Sequence, residues 1–266
     1  MFDSYSGATR VVFIVGDPIA QVKSPHGMTE ALRARGVDAI VVPAHVRPAD
    51  LADFFALAER MPNVDGIIVT VPHKFDAARL CAQVTPRTRS IGAANVVRRA
   101  ADGRWEGDMC DGEGYVAGLR TAGCEPRGLR TLLVGAGGAG SAIAHALVDA
   151  GVAALALHDA DDARREALAA KLRAYGPVVP GVGSSDPSRF DLVINATPMG
   201  MRADDPLPVD VAKLAASTFV GDVVTMPPVP PLIVAARARG CGTMTGAGMF
   251  EATRERMVSF YLERKA

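Results

Sequence analysis

The chain has 266 residues, 49% hydrophobic and 22% charged, a composition that excludes global disorder. Its 29 basic residues balance 29 acidic ones without a polybasic stripe, which argues against nucleic acid as a partner. No apolar run reaches the roughly 18 residues of a membrane span, and the first ten residues, MFDSYSGATR, lack a signal-peptide pattern. The length allows one large domain or two small ones.

From the N-terminus, short β-branched runs alternate with longer Ala/Leu/Arg segments. Residues 11–16 (VVFIVG), 38–44 and 66–72 read as strands, and 26–35, 49–60 and 74–82 as helices. Residues 94–99 and the stretch around Trp105 read as two antiparallel strands beside a turn at Asp102-Gly103. A second series follows a boundary expected within residues 100–125. Strands are expected at 130–135, 153–159, 191–197 and 219–224, and helices at 138–150 and 161–175. A further helix follows the proline cluster of 226–231, and residues 251–265 read as an amphipathic terminal helix. The fold class is therefore α/β, with mostly parallel sheets covered by helices. Cys81, Cys110, Cys124 and Cys241 are scattered and form no CxxC, so neither a disulfide framework nor a metal site is expected and a cytoplasmic location fits.

Gly135-Ala-Gly137-Gly138-Ala139-Gly140 is a GxGxxG run that follows an apolar strand and opens an Ala-rich helix. That context marks a dinucleotide site. Gly135 permits the tight turn, Gly137 lets the backbone approach a pyrophosphate, and Gly140 lets helix and strand pack closely. The helix start offers unpaired N–H groups to phosphate. Asp159 ends the next strand, where a carboxylate accepts hydrogen bonds from a ribose 2′-hydroxyl and repels a 2′-phosphate. NAD is accordingly expected over NADP. Arg164 and Arg165 are the counter-argument, since either could reach a phosphate, although such arginines usually sit on a solvated helix face.

The first half carries a second set of polar residues. Ser24 follows Lys23 in the loop after the first strand, and Thr70 to Lys74 close the third. Asn95 starts another strand, and Asp111 precedes a helix. Parallel sheets bind ligands beyond the carboxyl ends of their strands, where Lys74 and Asp111 could form a proton-transfer pair. Spacing alone leaves plainer roles open: Asp111 as a helix N-cap, Lys74 as a solvated lysine.

Together these stretches resemble the shikimate/quinate dehydrogenase family. The resemblance runs in order through GDPIAQVKSP (16–25), DGIIVTVPHK (65–74), IGAANVV (91–97), GDMCDGEG (107–114), GAGGAG (135–140), DLVINATPMGM (191–201) and GAGM (246–249). It implies a substrate domain over 1–110 and a Rossmann dinucleotide-binding domain over 111–248, with the terminal helix, 249–266, packing back on the first. It also implies that Lys74 and Asp111 are catalytic, that Ser24, Thr70 and Asn95 contact substrate, and that Thr197 and Gly246 join the cofactor site.

Departures from the family pattern accompany the likeness. Val22 stands where a hydroxyl residue binds the substrate carboxylate, Met109 where asparagine is common, Thr225 for tyrosine, and Thr253 for a substrate-binding glutamine. His158-Asp159-Ala160 replaces the NADP-type Asn-Arg-Thr. The expected activity is hydride transfer between NAD and a shikimate- or quinate-like cyclic hydroxy acid, in a monomer or homodimer whose partner is a small-molecule substrate. The alternatives are an NADP-dependent biosynthetic shikimate dehydrogenase and a catalytically weak NAD-binding regulator.

Overall fold

The computed structural model describes residues 5–20, 22 and 24–263; Lys23 and the expected helix beyond 263 lie outside them. The chain folds as two compact units, residues 1–110 with 254–266 and residues 111–253.

The first unit holds, in chain order, β1 (Arg10–Gly16), α1 (Ser24–Arg33), β2 (Ala39–His45), α2 (Leu51–Glu59), β3 (Val64–Val69), α3 (Lys74–Leu80), β4 (Gln83–Val84), α4 (Pro86–Ile91), β5 (Val96–Arg99) and β6 (Trp105–Asp108). The strands form one sheet in the order β2-β1-β3-β5-β6-β4. β1 is parallel to both neighbours, β5 is antiparallel to β3 and β6, and β4 is parallel to β6. Successive side chains of a strand leave opposite faces, and here both alternating sets are apolar. Val12, Ile14, Ile68 and Val96 pack with Met28 and Leu32 of α1 and with Met257, Val258 and Phe260. Val15, Ile67, Val69 and Val97 pack on the other face with Leu51 and Phe55 of α2.

The second unit begins with α5 (Asp111–Thr121). β7 (Arg130–Val134), α6 (Gly138–Ala150), β8 (Ala154–His158), α7 (Asp162–Tyr175) and β9 (Gly181–Val182) follow. Then come β10 (Leu192–Asn195), β11 (Phe219–Asp222), α8 (Pro231–Ala238), β12 (Gly242–Met244) and α9 (Gly246–Leu262), whose residues from Arg254 onward count with the first unit. The sheet order is β12-β11-β10-β7-β8-β9, parallel throughout. Leu133, Leu155, Leu157, Leu192 and Ile194 face α5, α6 and α7, while Leu132, Val134, Val193 and Val220 face Leu232 and Ile233 of α8.

Several elements differ from expectation. The third strand ends at Val69 rather than residue 72, because Thr70 turns the chain by accepting the His73 N–H. Asp111 is the first residue of α5 rather than the residue before it. The terminal helix starts at Gly246, five positions earlier than 251, with Gly246 set against the Val223 and Val224 carbonyls where a β-carbon would not fit. β4, β9 and β12 are two or three residues long, too short for alternation to show. α4 also escaped the periodicity, although Thr85 caps it by accepting the Thr88 N–H, Pro86 opens it and left-handed Gly92 ends it.

Two arginines of β5 hold the first unit together. Arg99 donates to the carbonyls of Ala58, Glu59, Met61, Val64 and Gly103 and stacks over Trp105, satisfying the open end of α2. Arg98 is buried with Glu106, at 2.7–2.9 Å, and donates to the Phe260 and Glu263 carbonyls at the end of α9. Breaking a buried pair leaves an uncompensated charge. Arg98→Ala is expected to lower stability by about 3–5 kcal/mol, read from urea unfolding, with Arg98→Met/Glu106→Leu recovering most of the loss.

Candidate active site

The first unit gathers polar residues at the edge where β1, β2, β3 and β6 end and β5 begins. Backbone bonds join the loops there: Thr70 N–H to Val15 O, Asp17 N–H to Val71 O, Val46 N–H to Gly16 O. His73 is buried and lies 2.7 Å from the Val46 carbonyl through Nε2, tying the Lys74 loop to the one after β2. Lys74 opens α3, and its carbonyl accepts the Ala94 N–H. Ser24 opens α1. Val22 sits half-buried against the apolar cluster of Val12 and Ile14, offering that loop no side-chain donor.

Asn95 is buried beside the end of β3, its carbonyl accepting the Val69 N–H. Its side-chain oxygen accepts the Cys110 N–H at 2.8 Å, fixing the chain one residue before Asp111. On the other side, Asp108 accepts Arg87 Nε–H (2.8 Å) and the Thr85 hydroxyl (2.5 Å). Burial alone would raise the Asp108 carboxyl, but these donors hold it below its ordinary value. Lys74, Thr70 and Asn95 thus meet at one edge, and the strand leading to Asp111 is clamped from both sides.

In the second unit, the loops after β7, β8, β10 and β11 converge. Gly135 has φ +105°, a conformation that side chains rarely adopt. A β-carbon on Gly140 would lie 2.0 Å from the Gly135 carbonyl, so α6 meets the turn at a distance only glycine allows. A β-carbon on Gly137 would meet nothing within 4 Å. α6 starts without a side-chain cap at Gly138 and half-buried Ala139, so this open face suits a phosphate. The Asp159 side chain, only 8% exposed, braces the turn: it accepts the Ala136 N–H (2.7 Å) and the Asp161 N–H (2.8 Å). Arg164 lies 3.9 Å from Asp159 and 3.6 Å from Asp161, while Arg165 pairs with Asp162.

Thr197 packs its methyl group against Gly135, and Gly246 lies against the Val223 and Val224 carbonyls. Asn195 and Asp222 close β10 and β11 and hydrogen-bond each other at 3.1 Å. Sequence reasoning gave these two no role; a polar residue ending an apolar strand is the signal that marks them. Thr253 is only 3% exposed, with its hydroxyl against Gly114 of α5 and no hydrogen-bond partner. The small residue thus fills a helix contact within the second unit.

A glycine turn open to a phosphate on a parallel sheet, joined to a separate α/β unit with a lysine-bearing strand end, fits a dinucleotide-dependent oxidoreductase. The profile of the shikimate dehydrogenase substrate binding domain matches residues 14–97. The shikimate dehydrogenase (NADP(+)) of Rhodospirillum rubrum is 36% identical over 257 residues, covering 92% of this chain and 88% of that one. Among solved structures, the ligand-free 5-ketofructose reductase of Gluconobacter is 30% identical (TM-score 0.82; 97% and 94% of the two chains). The quinate dehydrogenase of Corynebacterium glutamicum in complex with NAD is 29% identical (TM-score 0.83; 95% and 93%). The chain belongs to the shikimate dehydrogenase family, NAD(P)-dependent oxidoreductases of CH–OH groups. No helix among the described residues is long and apolar enough to cross a membrane.

The two glycines make opposite predictions. Gly137→Ala is expected to keep the wild-type melting temperature and lose dinucleotide affinity by about tenfold or more, because only the ligand needs that space. Gly140→Ala is expected to lower the melting temperature itself, since its β-carbon meets backbone. Thermal unfolding and dinucleotide titration of both variants check this.

Proposed function

We propose that the protein interconverts a hydroxyl and a ketone on a shikimate- or quinate-like cyclic hydroxy acid, with NAD as the preferred dinucleotide. The observation that carries the reading is the open, acid-braced glycine turn in a chain that also sets Lys74 at the end of β3 and Asp111 after β6. The nicotinamide, when bound, supplies or takes the hydride. Lys74 passes a proton to or from the substrate oxygen, and Asp111 holds and polarises that oxygen. Thr70, Asn95 and Ser24 orient the ring hydroxyls. Val22 withdraws one donor from the carboxylate position, so the natural substrate carries a different or larger group there than shikimate does. Zero net charge and four scattered cysteines without a CxxC support a cytoplasmic enzyme, monomeric or homodimeric, without a nucleic-acid partner.

Assays with a panel of cyclic hydroxy acids test the roles. Lys74→Ala and Asp111→Asn are each expected to lower kcat by about 10²–10⁴. NAD affinity should stay near normal, and circular dichroism should report an unchanged fold. Near-wild-type turnover in either variant would remove that residue from the reaction.

Asp159 and Asp161 support the preference for NAD. At about 4 Å and an effective dielectric near 20, one charge repulsion with a 2′-phosphate is of order 4 kcal/mol before solvent rearranges. One observation favours the other dinucleotide: Arg164 stands beside both acids, within reach of a phosphate, and the curated relatives use NADP. Calorimetric titration is expected to show NAD binding about tenfold or more tightly than NADP. Tighter NADP binding that disappears in Arg164→Ala would assign the site to NADP.

A further inference from the structure

Asp222 is completely buried at the carboxyl end of β11. Its Oδ1 accepts Asn195 Nδ2–H at 3.1 Å and the Val224 N–H at 2.9 Å. Its Oδ2 is buried and has no hydrogen-bond partner among the described residues. Among the described residues, no lysine or arginine pairs with this carboxyl. The titratable groups facing it are the buried, unpartnered Tyr115 hydroxyl of α5, which lies over Gly221, and behind it the Cys124 thiol. From β10 it faces only the neutral Asn195 amide.

Asn195 carries the contact outward. Its Nδ2 also donates to the Met199 carbonyl, and its Oδ1 accepts the Thr197 N–H (3.0 Å) and hydroxyl (2.6 Å). The Thr197 hydroxyl in turn accepts the Met199 N–H. Residues 195–199 are therefore wound around one amide that leans on Asp222. The outer side of this segment, Ala196 and Thr197, touches Gly135 of the dinucleotide turn.

We propose that Asp222 is a positioning residue that works as the neutral acid, holding Asn195 so that residues 195–199 support the dinucleotide turn. An ionised carboxylate with one oxygen buried and bare is far more costly than a neutral one. Ionisation therefore pulls in water or the Tyr115 hydroxyl and loosens the strand end. Burial pushes the Asp222 carboxyl up to about 7, against the opposing pull of the Val224 N–H, the Asn195 amide and the Val223 N–H. The inference rests on the dinucleotide reading of this face.

The sign of the pH effect follows from linkage. Between the ordinary carboxylate range and about pH 7, the folded chain keeps a proton that the unfolded chain has lost. Stability from this group is present at low pH and declines as pH rises through that window. Asp222→Asn cannot ionise. On moving the ligand-free protein from pH 5 to pH 8, the unfolding constant of wild type should rise relative to Asp222→Asn by about tenfold or more. Infrared spectra of wild type should show a protonated-carboxyl band at pH 5 that Asp222→Asn lacks and that fades by pH 9. NADH, which has no titrating 2′-phosphate, should bind wild type several-fold more weakly at pH 8.5 than at pH 6. Asp222→Asn should bind it equally at both, and Asp222→Ala about tenfold more weakly throughout.

Identical pH slopes in wild type and Asp222→Asn, or no protonated-carboxyl band at pH 5, would overturn the proposal. If wild type bound no NADH, the dinucleotide reading would fall and the positioning role with it. The ligand-free spectra would still report the protonation of Asp222 separately.

Discussion

Parallel strands send their carboxyl ends to one edge, where the chain must leave the sheet and backbone groups lose their partners. Everything chemical in this protein follows from how its edges meet that constraint. In the second unit a helix starts uncapped behind a glycine turn, leaving N–H groups free for an anion. Asp159 accepts the Ala136 N–H of the turn, and the His158 carbonyl accepts that of Gly135. In the first unit the loops after β1, β2 and β3 bond to one another through backbone groups, which fixes the strand ends from which Lys74 and Ser24 start their helices.

The polar interior is concentrated behind these edges. Arg98 with Glu106 and Asn195 with Asp222 are buried on strands or strand ends, and Asp108, buried at the end of β6, is met by the partly exposed Arg87 of α4. Buried charge adds little net stability when compared with good apolar packing, yet removing one partner is expensive. Such pairs therefore fix geometry more than they add stability. Asp108 and Asn95 show this most directly, since both bond to the few residues that deliver Asp111.

Much of this was legible in the sequence. The alternation of apolar runs with Ala-rich segments located the long strands and helices, because strands covered on both faces stay apolar at every position. The GxGxxG turn was readable because its glycines answer to backbone geometry, and φ +105° at Gly135 with the 2.0 Å approach at Gly140 are the constraints that such a pattern records. What escaped was either too short or non-local. β4 and β9 have two residues each, and no periodicity exists at that length. Asp222 and Asn195 lie 27 positions apart and acquire meaning only once β10 and β11 pair. The burial of Thr253 against Gly114 was likewise unreadable, since it depends on how α5 meets α9.

The first unit is discontinuous in sequence: the cluster built on Val12, Ile14 and Ile68 is completed by Met257, Val258 and Phe260. During synthesis the ribosome delivers residues in order, and domains generally fold as units once their chain is available. Strands made first therefore wait, with one face of their sheet covered by α1 but not yet by α9, until residue 260 has emerged. The second unit, residues 111–253, is complete before that point and can close ahead of its predecessor. The half of the molecule that is translated first is thus the half that matures last, with an apolar gap beside α1 until α9 arrives.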